Sequence, residues 1–188
     1  GLVESDLFGH ERGAFAGATE RKTGIFELAA GGTLFLDEIA ALEPKLQAKL
    51  LRALETRTFY RVGGTQKVDM DARIVASTNR DLAALVADGK FRPDLVYRIN
   101  TIEIVLPPLR ERAVDIPLLA EQFLAQYGGA RPPRLTEDAV QALQAYGWPG
   151  NVRELRNVIE RAVLLCDRPV IEAEHLALGD TPAVAVTG

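Results

Sequence analysis

Two adjacent carboxylates, Asp37 and Glu38, close the short apolar run Thr33-Leu34-Phe35-Leu36. Such a run reads as a buried strand. In an open α/β sheet, ligands bind outside the carboxyl ends of the strands. An aspartate there can hold Mg2+, because hard cations take oxygen ligands. The neighbouring glutamate can orient or deprotonate an attacking water. The same two acids would also favour the N-terminus of a following helix. Asn79 closes a second run, Arg73-Ile74-Val75-Ala76-Ser77-Thr78. If the two runs pair, its amide shares a sheet edge with Glu38 and can position water or sense a terminal phosphate. By itself it reads equally as a turn residue.

Guanidinium groups offer the complementary charge. Arg92 and Arg98 flank a short segment in which Pro93 suits the first helical turn. Six residues on a helix is about 600°, so roughly 240° beyond one full turn, and the two side chains do not share a face. A finger reaching a neighbouring subunit's phosphate, with a second residue fixing its placement, suits that spacing better than one joint clamp. Two solvated arginines are the plainer alternative. Arg153 follows Pro149-Gly150 in the first turn of the last helix. There the free N–H groups favour an anion, and the arginine adds a bidentate donor. Gly13-Ala14-Phe15-Ala16-Gly17-Ala18 is a loop of small residues around one aromatic. It reads either as an apolar contact with another protein or as a loop folded back with Phe15 in the core.

These groups need elements to hold them. Residues 2–9 read as a short helix, and Ile25–Ala30 as another that stops at Gly31-Gly32. Ile39, Leu42, Leu46, Leu50 and Leu54 recur at steps of three and four, the stripe of an amphipathic helix. Gly63-Gly64 marks a hairpin or loop, and Leu82–Asp88 a helix. Ile99–Leu106, rich in β-branched residues, reads as a strand ended by Pro107-Pro108. From Asp115 the pattern is helices only. They are Pro117–Tyr127, a helix capped by Thr136 with Val140 and Leu143 on its buried side, and a last helix opened by a capping box at Asn151-Val152-Arg153-Glu154. The core stripe of that last helix is Val152, Leu155, Ile159 and Val163. The expectation is an α/β subdomain over 1–112 with a parallel sheet and flanking helices, a small all-α subdomain over 113–180, and a linker tail over 181–188.

With 47% hydrophobic and 26% charged residues, the 188-residue chain is of globular composition, not disordered. A net charge of −4 argues against a surface that coats DNA broadly. The single cysteine, Cys166, excludes an intramolecular disulfide and a cysteine-rich metal site, and suits a reducing cytoplasm. Cys166 and Trp148 read as packing residues. His10 and His175 have no ligand spacing, and no apolar run is long enough for a bilayer. The opening Gly1-Leu2-Val3 has no initiator Met, so the chain is expected to begin inside a longer protein.

The motifs occur in a familiar order. Glu4-Ser5-Asp6-Leu7-Phe8-Gly9-His10-Glu11-Arg12-Gly13-Ala14-Phe15-Ala16-Gly17-Ala18 resembles the signature surface loop of NtrC-like sigma-54-dependent transcription activators. Gly31-Gly32-Thr33-Leu34-Phe35-Leu36-Asp37-Glu38-Ile39 resembles their Walker B segment, and Ser77-Thr78-Asn79-Arg80 their sensor I. Phe91-Arg92-Pro93-Asp94-Leu95-Val96-Tyr97-Arg98 is similar to the arginine-finger helix. Leu106-Pro107-Pro108-Leu109-Arg110-Glu111-Arg112 is similar to the link to the lid, and Trp148-Pro149-Gly150-Asn151-Val152-Arg153-Glu154-Leu155 to sensor II. The resemblance implies the AAA+ fold with a helical lid and a ring-forming, cytoplasmic ATPase, hexameric or heptameric. In it Asp37 serves Mg2+, Glu38 the attacking water and Asn79 the γ-phosphate. Arg92 and Arg98 reach a neighbour's ATP, and Arg153 contacts nucleotide from the lid. The Gly13–Ala18 loop would press on sigma-54 in the RNA polymerase holoenzyme, with residues 61–72 as a second loop beside it. Enhancer DNA would be bound by a C-terminal domain outside this chain.

The chain departs from the family pattern twice. Ala16 stands where the family usually has Thr, which removes a hydroxyl from the loop tip. Some relatives with altered loops regulate without sigma-54, so a non-hydrolysing oligomerisation module is the alternative reading. Second, no G-x-x-x-x-G-K-[ST] sequence occurs in the chain. The resemblance implies that this phosphate-binding loop precedes Gly1, with a strand lying between the Asn79 strand and the Ile99–Leu106 strand. Residues 1–188 alone are therefore expected to bind ATP weakly or not at all. Isothermal titration with an ATP analogue and Mg2+ checks this, and micromolar binding would overturn it.

Overall fold

The computed structural model describes residues 2–166 and 168–179. The expected linker tail, 181–188, lies outside the described residues. The chain divides into two compact units, Gly1–Glu103 and Ile104–Gly188.

The first unit runs α1 (Leu2–Phe8), α2 (Ile25–Leu28), β1 (Thr33–Leu36), α3 (Pro44–Thr56), β2 (Thr58–Tyr60), β3 (Lys67–Asp69), β4 (Arg73–Ala76), α4 (Leu82–Ala87) and α5 (Pro93–Ile99). β1 and β4 pair in parallel, Thr33 opposite Arg73 through Leu36 opposite Ala76. The strands alternate in exposure: Leu34 is buried while Phe35 is 59% exposed. The run Thr33–Leu36 is thus a strand buried on one face only, which narrows the reading of a buried strand. β2 and β3 form an antiparallel hairpin across Gly63-Gly64.

The stripe begun by Ile39 does not make one helix. Ile39–Ala41 is a single 3-10 turn, and Leu42 and Glu43 are extended. Pro44 then opens α3 at its first turn, where the missing N–H is not needed. Leu46, Leu50, Leu51 and Leu54 are buried on one face of α3. Each such leucine contributes roughly 1.5–3 kcal/mol by leaving water. Around them Phe8, Phe26 and Phe59 form an aromatic cluster with ring centroids 5.0, 5.6 and 5.8 Å apart. The cluster ties α1, α2 and β2 together. Gly24 lets α2 start directly against the end of α1, because a Cβ there would meet the Gly9 nitrogen at 2.3 Å.

Ile99–Leu106 is not a strand. Ile99 is the last residue of α5, and the segment after it has no ladder partner among the described residues. Ile102, Ile104, Val105 and Leu106 are each 78–82% exposed. β-Propensity describes a fit to a pleated, half-buried surface, and no neighbouring strand supplies that surface here.

The second unit contains α6 (Ile116–Tyr127), β5 (Arg134–Leu135), α7 (Glu137–Ala145), α8 (Asn151–Leu165) and β6 (Val170–Ile171). The expectation of helices alone misses one short pairing, β5 with β6, parallel. Thr136 caps α7, its side chain accepting from the Ala139 N–H at 3.2 Å. The capping box expected at Asn151–Glu154 does not form, because the N-cap of α8 is Gly150, with no side-chain cap. Glu154 Oε2 accepts from the Gly150 N–H at 2.8 Å, but Asn151 Oδ1 accepts from Leu109 N–H instead of capping its own helix. The buried face of α8 is Leu155, Val158, Ile159 and Ala162, with Val152 and Val163 partly buried at its margins. Trp148 is fully buried and donates from Nε1 to the Leu143 carbonyl at 2.7 Å. Cys166 caps the end of α8 and is partly buried against the same core.

Candidate functional site

The parallel pairing of β1 with β4 decides where the acids and the amide lie. The ladder runs one step past the strands: Ser77 N–H donates to the Leu36 carbonyl at 2.9 Å, and Ile39 N–H to the Ser77 carbonyl at 3.0 Å. Asp37 and Glu38 therefore leave the same carboxyl edge as Ser77, Thr78 and Asn79. All of these except Ser77 are exposed. Asp37 is oriented by two donors to one oxygen, the Ser77 hydroxyl and the Glu38 N–H, the latter at 3.1 Å. Among the described residues its Oδ2 accepts no hydrogen bond, which leaves an oriented, hard oxygen ligand of the kind Mg2+ takes. Sequence reasoning missed Ser77. Its signal is a hydroxyl residue at the end of the strand that pairs with an acid-terminated one.

Glu38 has φ 51°, ψ 47°, a left-handed conformation rare for a residue with a side chain. Held non-glycine residues of this kind cluster at functional sites. The backbone turn at Glu38 starts the 3-10 turn at Ile39. Asn79 precedes Asp81, which caps α4 by accepting from Ala83 and Ala84 N–H at 2.8 and 3.2 Å.

The two arginines of α5 are in different states. Arg92 is the N-cap of the helix, and its guanidinium forms a fork with Asp94, 2.9 and 2.6 Å. That hydrogen-bonded pairing holds the Asp94 carboxyl below the ordinary aspartate range. The Arg92 backbone N–H donates to Gln47 Oε1 at 2.9 Å; Gln47, 1% exposed, also donates to the Leu42 and Lys90 carbonyls. This buried amide, not anticipated from the sequence, pins the start of α5 to α3. Arg98 donates from Nη2 to the Leu54 carbonyl at 2.9 Å, a neutral partner, so its charge is unmatched by any ion pair among the described residues. Neither arginine bonds Asp37 or Glu38 in the described chain. Arg153 is exposed in the first turn of α8 in the second unit.

The loop Gly13–Ala18 is ordered. Gly13 N–H donates to the Ala18 carbonyl at 2.7 Å, and Ala18 N–H to the Phe15 carbonyl at 3.0 Å. Gly13 and Gly17 have φ +81° and +99°, values that require glycine at both shoulders. Phe15 is 40% exposed and does not enter the core, which removes the folded-back alternative. The loop base sits on the β2–β3 hairpin through Glu11 N–H to the Val62 carbonyl and Val62 N–H to the Gly9 carbonyl, 3.0 and 2.9 Å.

Arg61, 6% exposed, stands under that junction. Its guanidinium makes a fork with Glu27 and bonds Glu11 at 3.0 Å. The Arg61 hydrogen bonds hold the Glu27 carboxyl below the ordinary glutamate range. Glu27→Gln leaves a buried charge under-compensated and is expected to cost about 3 kcal/mol, measured by urea unfolding. Because the folded-state value is depressed, the stabilisation is present above the unfolded glutamate range and is lost as pH falls through the folded value. The wild-type acid limb should therefore be steeper than that of Glu27→Gln.

Among the described residues, Glu172, Glu174 and His175 are the group whose ligand atoms lie within 4.8 Å of one another. A capping box between Glu172 and His175 accounts for that approach.

A family model described as "Sigma-54 interaction domain" matches residues 1–105, and one described as "AAA+ ATPase lid domain" matches residues 110–180. The chain is 50% identical over 190 residues to the response regulator protein PilR of Pseudomonas aeruginosa, covering 100% of this chain and 43% of that protein. It is 54% identical over 178 residues to the alginate biosynthesis transcriptional regulatory protein AlgB of the same organism, covering 93% of this chain and 40% of the other. Crystal structures of NtrX from Brucella abortus in complex with ADP and with ATP superpose with TM-scores of 0.84 and 0.83 at 40% and 41% identity. Each covers 96% of this chain and 41% of that one. The chain thus spans less than half the length of these relatives.

Proposed function

The chain belongs to the sigma-54 interaction family of AAA+ domains with its lid, and from that premise we propose that its parent protein activates transcription by ATP-driven remodelling of the closed complex of sigma-54 RNA polymerase. The observation that supports the reading is the parallel pairing of β1 with β4, which gives Asp37, Glu38 and the segment leading to Asn79 one carboxyl edge, with Asp37 oriented by the Ser77 hydroxyl. Asp37 would hold Mg2+ through its free oxygen, and the ion, when bound, neutralises charge developing on the phosphates. Glu38 takes the proton of the attacking water. Asn79 orients that water against the terminal phosphate of the ATP substrate.

Arg92 and Arg98 act on the nucleotide of a neighbouring subunit in a hexameric or heptameric ring. Arg153 binds phosphate from the lid. The ordered loop at Phe15 meets sigma-54, with residues 61–72 as a second loop beside it. Enhancer DNA is held by a further domain of the parent. No described helix is long and apolar enough to cross a membrane.

The test is conversion of a sigma-54 closed complex to an open one by the full-length protein. Opening should require hydrolysable ATP and be lost with Phe15→Ala, with hydrolysis changed by less than about threefold. Hydrolysis without opening by the wild-type protein would overturn the reading. One feature favours a second reading, a regulatory oligomerisation module: Ala16, which lacks the hydroxyl usual at the loop tip. Rings without hydrolysis or opening would select it.

A further inference from the structure

We infer that His10 is a positioning residue that holds the Phe15 ring outward for its partner, and that Ser5 sets the orientation of His10. The inference rests on the proposed contact between the Phe15 loop and sigma-54, and adds the device that presents the ring. Three observations converge on it. The His10 and Phe15 rings meet edge to face, with centroids 4.9 Å apart and an interplanar angle of 63°. The Ser5 hydroxyl and His10 Nδ1 are 2.6 Å apart, and Ser5, on α1, is 3% exposed. The His10 backbone is fixed from both sides: its N–H donates to the Lys22 carbonyl at 3.0 Å, and Lys22 N–H returns to the His10 carbonyl at 2.9 Å.

A partly exposed phenylalanine on a loop of small residues has no packing of its own to choose a rotamer. Water favours the rotamer that hides the ring. Contact with the edge of an imidazole favours one exposed geometry instead. That contact has direction only if the imidazole cannot rotate. A hydroxyl buried against Nδ1 stops the rotation, since turning the ring would leave the Ser5 oxygen without a partner. The chain order reflects this: Ser5 on the last turns of α1, His10 at the neck of the loop, Phe15 at its tip. Lys22 and Asp6, paired at 2.6 Å, brace the same neck.

The variants separate the ring contact from the hydrogen bond. His10→Asn can keep the bond to Ser5 but has no ring. Ser5→Ala combined with His10→Phe keeps an aromatic edge, leaves no unpaired hydroxyl and, because a phenyl ring is unchanged by a half-turn, needs no hydrogen bond to choose which edge it shows. In the full-length protein, His10→Asn should weaken nucleotide-dependent binding to sigma-54 about three- to tenfold, the scale of one aromatic pair. The double variant should bind within about twofold of wild type. A second readout does not depend on sigma-54. With Phe15→Trp as reporter, acrylamide quenching of the added indole, taken as the difference from the parent protein, should change on adding His10→Asn and return in the double variant. Wild-type quenching in His10→Asn, or equal loss of quenching geometry in both variants, overturns the inference. If quenching behaves as stated but wild-type protein does not bind sigma-54, the ring device stands and the proposed function fails.

Discussion

Replacing Arg98 by Ala in the full-length protein should slow ATP hydrolysis by about 10³–10⁵, the effect of an arginine that stabilises phosphoryl-transfer charge. Nucleotide binding should change much less. The structure separates Arg98 from Arg92. The Arg92 charge is already matched by the Asp94 fork, whereas Arg98 leans only on the neutral Leu54 carbonyl and has donors to spare. Arg98 is therefore the stronger of the two fingers, while Arg92 also fixes the start of the helix through its backbone N–H. Mixing tests the subunit boundary. A subunit with Arg98→Ala keeps Glu38, and one with Glu38→Gln keeps Arg98. In an equal random mixture, about one quarter of interfaces carry both intact groups if the arginine acts on its neighbour. Activity should then recover to about that fraction. No recovery means that the arginine acts within its own subunit or not at all.

Much of this was legible because it depends on local chemistry. Pro93 and Thr136 announced the starts of α5 and α7, since a missing N–H and a short hydroxyl each suit one place in a helix. The edge at Asp37 could be read because an apolar run ending in acids has few other uses. The structure adds what the sequence left conditional, the parallel pairing that puts Ser77, two residues before Asn79, beside those acids. Failures came where a partner in space decides. Ile99–Leu106 has the composition of a strand, but a strand is a relation between two segments. Asn151 has the residue type of a cap, yet the N-cap falls on Gly150 and Leu109 claims the Asn151 side chain. The 3.6-residue stripe ran through Leu42 because periodicity ignores the Pro44 start signal. Gln47 and Ser77 were invisible for a related reason: a buried amide and a hydroxyl declare their roles only through the atoms they meet.

Glu38 offers the second large effect, and its backbone makes the test sharper. Glu38→Gln removes the proton acceptor but keeps length and shape, so hydrolysis should fall by about 10²–10⁴. Asp37 should keep its two donors in that variant, because neither the Ser77 hydroxyl nor the backbone N–H of residue 38 is altered. ATP binding should survive, and the variant should trap a nucleotide-bound ring. Glu38→Gly goes further. The left-handed φ of 51° is one that glycine adopts without strain. Glycine should therefore leave the fold as stable as wild type or more so, by up to about 1 kcal/mol, while hydrolysis collapses. A side chain kept at a strained position, whose removal helps folding and stops turnover, is retained for its chemistry. Were Glu38→Gln to hydrolyse ATP at the wild-type rate, the carboxyl edge of β1 and β4 would lose its assigned base. Were Glu38→Gly instead to unfold the domain, the left-handed turn would owe its existence to packing and not to the reaction.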